Sequence, residues 1–233
     1  MKFSKTLIAA SLFLSSVAFA DGHDNGNHNG NGSPAERTYA VTITNITYGQ
    51  VFTPVLVATH TRAASFFELG EAPSPELADL AEGGATGGLQ AVLDGLPEFV
   101  MDTSTSGVTP DGNPLINPGE SVTVYITGKR DYNRLSLAGM LLPTNDTFVA
   151  IDSMPLPRKY SASMALAYDA GSEENDELCA NIPGPQCMGS PFSEGLAEGF
   201  VHISRGISGE ADLLASDYDW RNPVARVTVR LMD

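Results

Sequence analysis

Cysteine is nearly missing from this sequence: its 233 residues contain two, Cys179 and Cys187. A structural zinc site needs four strong ligands, and no further thiol or imidazole stands close to that pair. Basic residues are scarce as well, 13 Lys and Arg against 28 Asp and Glu, for a formal net charge of −15. Such a balance disfavours nucleic-acid phosphates and anionic lipid surfaces, and favours cations or partners with basic patches. The chain has no Gly-x-Ser-x-Gly elbow, no His-Glu-x-x-His pair and no phosphate-cradling glycine loop. The expectation is therefore that it is not an enzyme. An uncharacterised hydrolase that recruits His60, with His202 and one of many serines, is the alternative on paper.

Long apolar runs are equally rare, and the one present lies at the start. MKFSKTLIAASLFLSSVAFA places Lys2 and Lys5 before an apolar stretch, with Ala18 and Ala20 flanking a cleavage point. This reads as a signal peptide over residues 1–20, with an apolar core shorter than the roughly 20 residues that span a bilayer. Residues 21–37, DGHDNGNHNGNGSPAER, carry no large apolar side chain and read as a disordered Gly/Asn-rich linker. His23 and His28 in this stretch have no fixed geometry with which to hold a metal. Residues 38–233 form one domain, expected to be secreted or periplasmic and not inserted in a membrane.

What is plentiful is period-two alternation. Residues 39–44 (YAVTIT), 122–127 (VTVYIT) and 225–231 (ARVTVRL) each set apolar side chains on one face and polar ones on the other, as half-buried strands do. Residues 51–58 and 135–142 are apolar with less alternation, which suits strands covered on both sides. Shorter strands are expected at 148–151, 164–168 and 199–204. Short strands separated by Gly, Pro, Asn and Asp point to an all-β antiparallel sandwich. One region departs from the pattern. Ser74 stands at an N-cap position, Pro75 at the first helical position and Gly83 just past the end, giving a short helix in a crossover loop, with a second expected over 86–96. In an oxidising compartment, Cys179 and Cys187 are expected to close the short CANIPGPQC loop as a disulfide. The Asn-x-Thr sequons at Asn45 and Asn145 are not read as glycosylation sites.

The densest charge lies just before that loop, in YDAGSEENDE at 168–177. Composition alone leaves two readings open, a solvated acidic loop or a cation cage. Calcium takes six to eight oxygens, and Asp169 and Glu173 can return to one point if Gly171 allows a tight turn. Asp146, at the end of another strand, can supply a third carboxylate. The spacing is not that of an EF-hand. Glu174, Asp176 and Glu177 are expected to be outer charges rather than ligands.

Several stretches together resemble bacterial spondin-domain proteins. GQVFTP at 49–54 runs into LVATH, followed by FELG at 67–70 and PELADLAEG at 75–83; LSLAGMLLPTNDTFV at 135–149 and YDAGSE at 168–173 complete the likeness. The resemblance implies a C2-like sandwich of eight strands that binds calcium, or another divalent cation, in loops at one end. It implies Asp146, Asp169 and Glu173 as metal ligands, with Glu173 standing where animal members have Asp. A further acidic ligand has no counterpart near Thr127, which leaves Asp131, Asp152 or backbone to complete the shell. The expected function is a non-catalytic, calcium-binding adhesion or ligand-binding module with an extracellular protein or glycan partner. A purely structural sandwich with a solvated acidic loop is the other alternative.

Overall fold

In the computed structural model, residues 35–193 and 195–232 are described. The expected signal peptide and nearly all of the expected linker lie outside the described residues. Alternation at the two ends of the domain becomes pairing. β1 (Arg37–Asn45) lies antiparallel to β10 (Ala225–Leu231), with Val41 opposite Val229 and Ile43 opposite Val227. On its other edge β1 pairs with β5 (Ser121–Gly128), Val41 facing Val124. The inward residues of all three strands are buried while their neighbours reach solvent, which is what the sequence pattern requires.

The remaining strands are β2 (Val51–Phe52), β3 (Leu56–His60), β4 (Val100–Thr105), β6 (Arg134–Leu142), β7 (Thr147–Pro155), β8 (Tyr160–Asp169) and β9 (His202–Ile203). Hydrogen bonding runs β4-β3-β6-β7-β8-β10-β1-β5, with β2 added to β6 and β9 to β8. Every pairing is antiparallel. The two outer strands of this path then meet: the Thr127 N–H of β5 donates to Asp102 Oδ2 of β4 at 2.7 Å. The result is a sheet rolled into a nearly closed sandwich, all-β in class as its alternation indicates.

Two apolar layers hold it. Inside the roll, Val41, Ile43, Val57, Leu137, Val149, Val227 and Val229 are fully buried. Outside it, α1 (Pro75–Gly83) and α2 (Thr86–Asp94) cover β3, β6 and β7, so that Leu77, Leu80 and Leu93 pack with Leu56, Ala138 and Phe148. This second layer explains why residues 51–58 and 135–142 do not alternate: both faces are covered. Each large side chain so buried stabilises the fold by about 1.5–3 kcal/mol. α1 is capped as its sequence suggests. The Ser74 hydroxyl accepts from Leu77 N, and Gly84, with φ of 68°, ends the helix one residue later than expected. A third helix, α3 (Ala215–Tyr218), is a single turn.

Antiparallel pairing gathers strand ends at two poles. At one lie the start of β1, the end of β5, the start of β6, the end of β7 and the start of β8. At the other lie the end of β6, the start of β7, the end of β8, and β9, with Thr147 opposite Asp169 and Asp169 opposite His202. Asp169 therefore stands at the second pole, with Asp146 immediately before β7.

Candidate cation site

The acidic stretch folds around Asp146. That residue is fully buried; its Oδ2 accepts the N–H groups of Ser172 at 2.8 Å and Glu173 at 3.1 Å, and its carbonyl accepts Ala170 N–H at 3.1 Å. One carboxylate thus organises the turn that follows β8. Gly171 makes the turn possible: its φ is +65°, and a Cβ there would lie 2.3 Å from the Phe200 carbonyl oxygen. Asp169, also buried, accepts Gly171 N–H at 2.9 Å through Oδ1 and the Asn175 amide at 2.9 Å through Oδ2.

Around Asp169 stand two residues far along the chain. The Asn175 amide also reaches Glu198 Oε1 at 3.2 Å. His202 Nδ1 donates to the Ile203 carbonyl at 3.0 Å, and its Nε2 faces Asp169 Oδ1 at 3.5 Å. Ligand atoms of Asp169, Glu198 and His202 lie within 4.8 Å of one another. A cavity of about 550 Å³ adjoins this group, lined in part by Asp169, Asn175, Glu177, Arg205 and Arg221.

The electrostatics show how crowded the corner is. Burial first, then the charge of Asp169, pushes Asp146 up to about 7, against the pull of the Glu173 and Ser172 N–H groups. Burial likewise raises Asp169, opposed by Gly171 N–H and by His202. Two buried carboxylate oxygens in this region have no donor, Asp146 Oδ1 and Glu173 Oε2. An unpaired buried oxygen of this kind is what a cation satisfies, and carboxylate, amide and carbonyl oxygens suit calcium.

Of the three carboxylates expected to converge, Asp146 and Asp169 come together. Glu173 meets them through its backbone N–H, while its own carboxylate turns to the other flank of the loop. There it accepts Ser193 N–H, and the charges that raise it, after burial, are those of Glu82 and Asp176. Glu82 is itself buried and raised. Neither candidate for a further ligand is nearby. Asp131 is exposed in the β5–β6 turn at the opposite pole. Asp152 lies six residues along β7 from Asp146, about 20 Å at strand rise, where it accepts from Phe66 N and Ser136 Oγ.

Two supposed outer charges are corrected. Glu177 is buried and accepts the Ser208 and Gly209 N–H groups, while Asp176 accepts from Leu178 N and from the amides of Asn145 and Asn181. Both staple the loop to its surroundings, and only Glu174 is exposed. Downstream, Cys179 and Cys187 form the expected disulfide, with Cα atoms 4.7 Å apart. Both sequon asparagines are buried with their side-chain amides engaged.

The profile of the Spondin_N family matches residues 36–176. The chain belongs to the Spondin_N family. Comparison with curated protein sequences finds no match. Membership makes this an extracellular type of module from a non-enzymatic domain family. Among the described residues no helix is long and apolar enough to cross a membrane. The matched stretch of the spondin domain contains Asp146, Asp169 and Glu173; Glu198, His202 and the disulfide lie beyond it.

His60 belongs to a different part of the domain. It is 1% exposed, donates from Nδ1 to the Thr61 carbonyl at 2.7 Å, and meets Ser136 Oγ with Nε2 at 2.7 Å. Ser136 in turn contacts Asp152 Oδ1 at 2.9 Å. A nucleophilic triad places the imidazole between serine and carboxylate. Here the serine is in the middle and fully buried, so the chain of contacts fixes the β3, β6 and β7 backbones instead. His202 stands at the other pole and cannot join it.

Proposed function

We propose that this spondin domain is an exported, non-catalytic module that holds calcium at its acidic pole and uses the loops ordered by that ion to engage an extracellular protein or glycan. The observation that carries the reading is the buried oxygen of Asp146, without a donor and beside the buried carboxylate of Asp169. Asp146 and Asp169 are the central ligands. Glu173 orients Asp146 through its backbone N–H rather than joining it with its carboxylate, and Glu198 lies within reach of Asp169. Export rests on the sequence of residues 1–20.

A second reading rests on His202. One imidazole nitrogen with two carboxylates suits zinc or manganese better than calcium, which prefers oxygen throughout. Calorimetric titration of chelator-stripped protein with calcium, magnesium, manganese and zinc decides between them. The calcium reading expects heat from calcium, little from magnesium, and loss of binding in Asp169→Asn but retention in His202→Gln and Glu174→Gln. Tighter zinc binding that vanishes in His202→Gln favours the second reading. No heat from any of the four metals sinks both.

A further inference from the structure

Charge in this acidic chain is segregated along its strands. β8 runs from Tyr160 to Asp169, nine steps of about 3.3 Å, so roughly 30 Å separates the acidic pole from the other end. That other end is basic. β1 opens with Arg37 opposite Gly128, Lys129 and Arg130 follow at once in the β5–β6 turn, Arg158 and Lys159 form the β7–β8 turn, and Arg230 pairs with Tyr160. These six of the 13 Lys and Arg in the chain thus meet at one pole, with Arg134 at the start of β6 beside them, and the nearby carboxylates among the described residues include Glu36, Asp102 and Asp131.

These cations line hollows rather than a convex surface. A cavity of about 440 Å³ is walled by Arg37, Lys129, Arg130 and Arg158, and a wider one of about 830 Å³ shares Arg37 and Arg158 with it. A third hollow joins Lys159 and Arg230 to Tyr160, which is 56% exposed. Among the described residues, none of the six has an ion-pair partner. Lys129 rests over the Tyr132 ring, with Nζ 4.8 Å from the centroid. β8, β10, β1 and β5 are consecutive here, so the row of hollows extends over about three strand spacings, or some 14 Å. A single phosphate or sulfate would occupy only one of these hollows.

We propose that the basic pole is a binding site for an acidic polysaccharide, a linear polymer with carboxylate or sulfate groups that pair with the arginines while a sugar ring packs on Tyr160. The extracellular character of the family favours a sugar polymer over a nucleic acid, whose dense phosphates are also repelled more strongly by a chain of net charge −15. The site is independent of the cation at the other pole, so it stands or falls separately from the calcium reading.

The test is retention of the full chain, with chelator present, on immobilised dextran sulfate and polygalacturonate, with neutral dextran as control. Binding is expected to one or both acidic polymers and not to dextran. It should weaken with salt, by roughly 0.7 logarithmic units per tenfold salt for each neutralised charge. Arg37→Ser with Arg158→Ser should lower affinity roughly ten-fold or more at low salt, while Arg37→Lys with Arg158→Lys retains most of it. Arg226→Glu, at an exposed position near the start of β10, lowers the net charge by the same two and should change little. Preference for one acidic polymer identifies the anionic group. The proposal is overturned by no retention on either polymer, by equal weakening in Arg226→Glu and in the Arg37/Arg158 Ser pair, or by tighter binding of a single-stranded oligonucleotide. Salt-sensitive self-association in sedimentation that Arg37→Ser with Arg158→Ser abolishes also overturns it, because the cations would then meet the acidic pole of a second copy.

Discussion

Raising the pH of cation-free protein should destabilise it, the reverse of what paired surface carboxylates do. Asp146 ionises near 3.8 when the chain is unfolded and at about 7 when folded, because burial and Asp169 both oppose its charge. The folded state therefore keeps a proton that the unfolded state releases, and stability falls across the interval between those values. The stabilisation is complete below about pH 4 and lost once the pH has passed 7. The gap is worth on the order of 4 kcal/mol, which for a domain of this size lowers the melting temperature by roughly 8–16 °C. Burial raises Asp169, Glu82 and Glu173 as well, and so acts in the same direction. Calcium takes the place of the proton, so its stabilising effect should be small at pH 4.5 and grow toward pH 8. Asp146→Asn retains an acceptor for the Ser172 and Glu173 N–H groups and has no charge to lose. Thermal melts in chelator and in calcium, at half-unit pH steps, on native protein and this variant make the comparison. A native melting temperature that rises steadily from pH 4 to 8 without cation, or a slope unchanged in Asp146→Asn, refutes the reasoning.

Glu177→Gln leaves one of two backbone N–H groups, Ser208 or Gly209, facing an amide donor, and should cost about 1–3 kcal/mol in denaturant melts, whereas exposed Glu174→Gln should stay within about 0.5 kcal/mol. Replacing both Cys179 and Cys187 by Ser should cost roughly 2–3 kcal/mol through release of the short loop, and native, unreduced protein should show no labelling by a thiol reagent.

Strands that alternate were legible because burial on one face leaves a mark at every second residue. The C-terminal strand was readable to its last residue from Val227, Val229 and Leu231. β4 left no such mark. Val100 is buried, but residues 101–105 are half-exposed Met, Asp, Thr, Ser and Thr on an edge, where neither face demands apolar side chains. The stretch at 51–58 read as one strand and is two, since Pro54 cannot continue a ladder and Val55 N turns to the Ser106 hydroxyl. In the site, Asp146, Asp169 and the need for Gly171 were readable from local chemistry. Glu198 and His202 were not, because they reach Asp169 through the β8–β9 pairing, and β9 is two residues long. Glu177 misled for a different reason: a carboxylate in an acidic run looks solvated until its partners, more than thirty residues downstream, are known.

The position of β10 between β8 and β1 also sets a timetable for synthesis. Tyr39 pairs with Leu231, about 190 residues later, and among the described residues the backbone ladder from β1 to β8 runs through β10. β5 is made about 80 residues after β1 and can cover one edge, but at roughly 5–20 residues per second β1 waits about 10–40 s for β10 to exist. Its edge toward β10 stays open throughout, with Val41 and Ile43 in a strand that invites pairing with another chain. The interval in which the domain is most open to misassembly, or to capture by a chaperone, is therefore decided by its most regular strand and not by its loops.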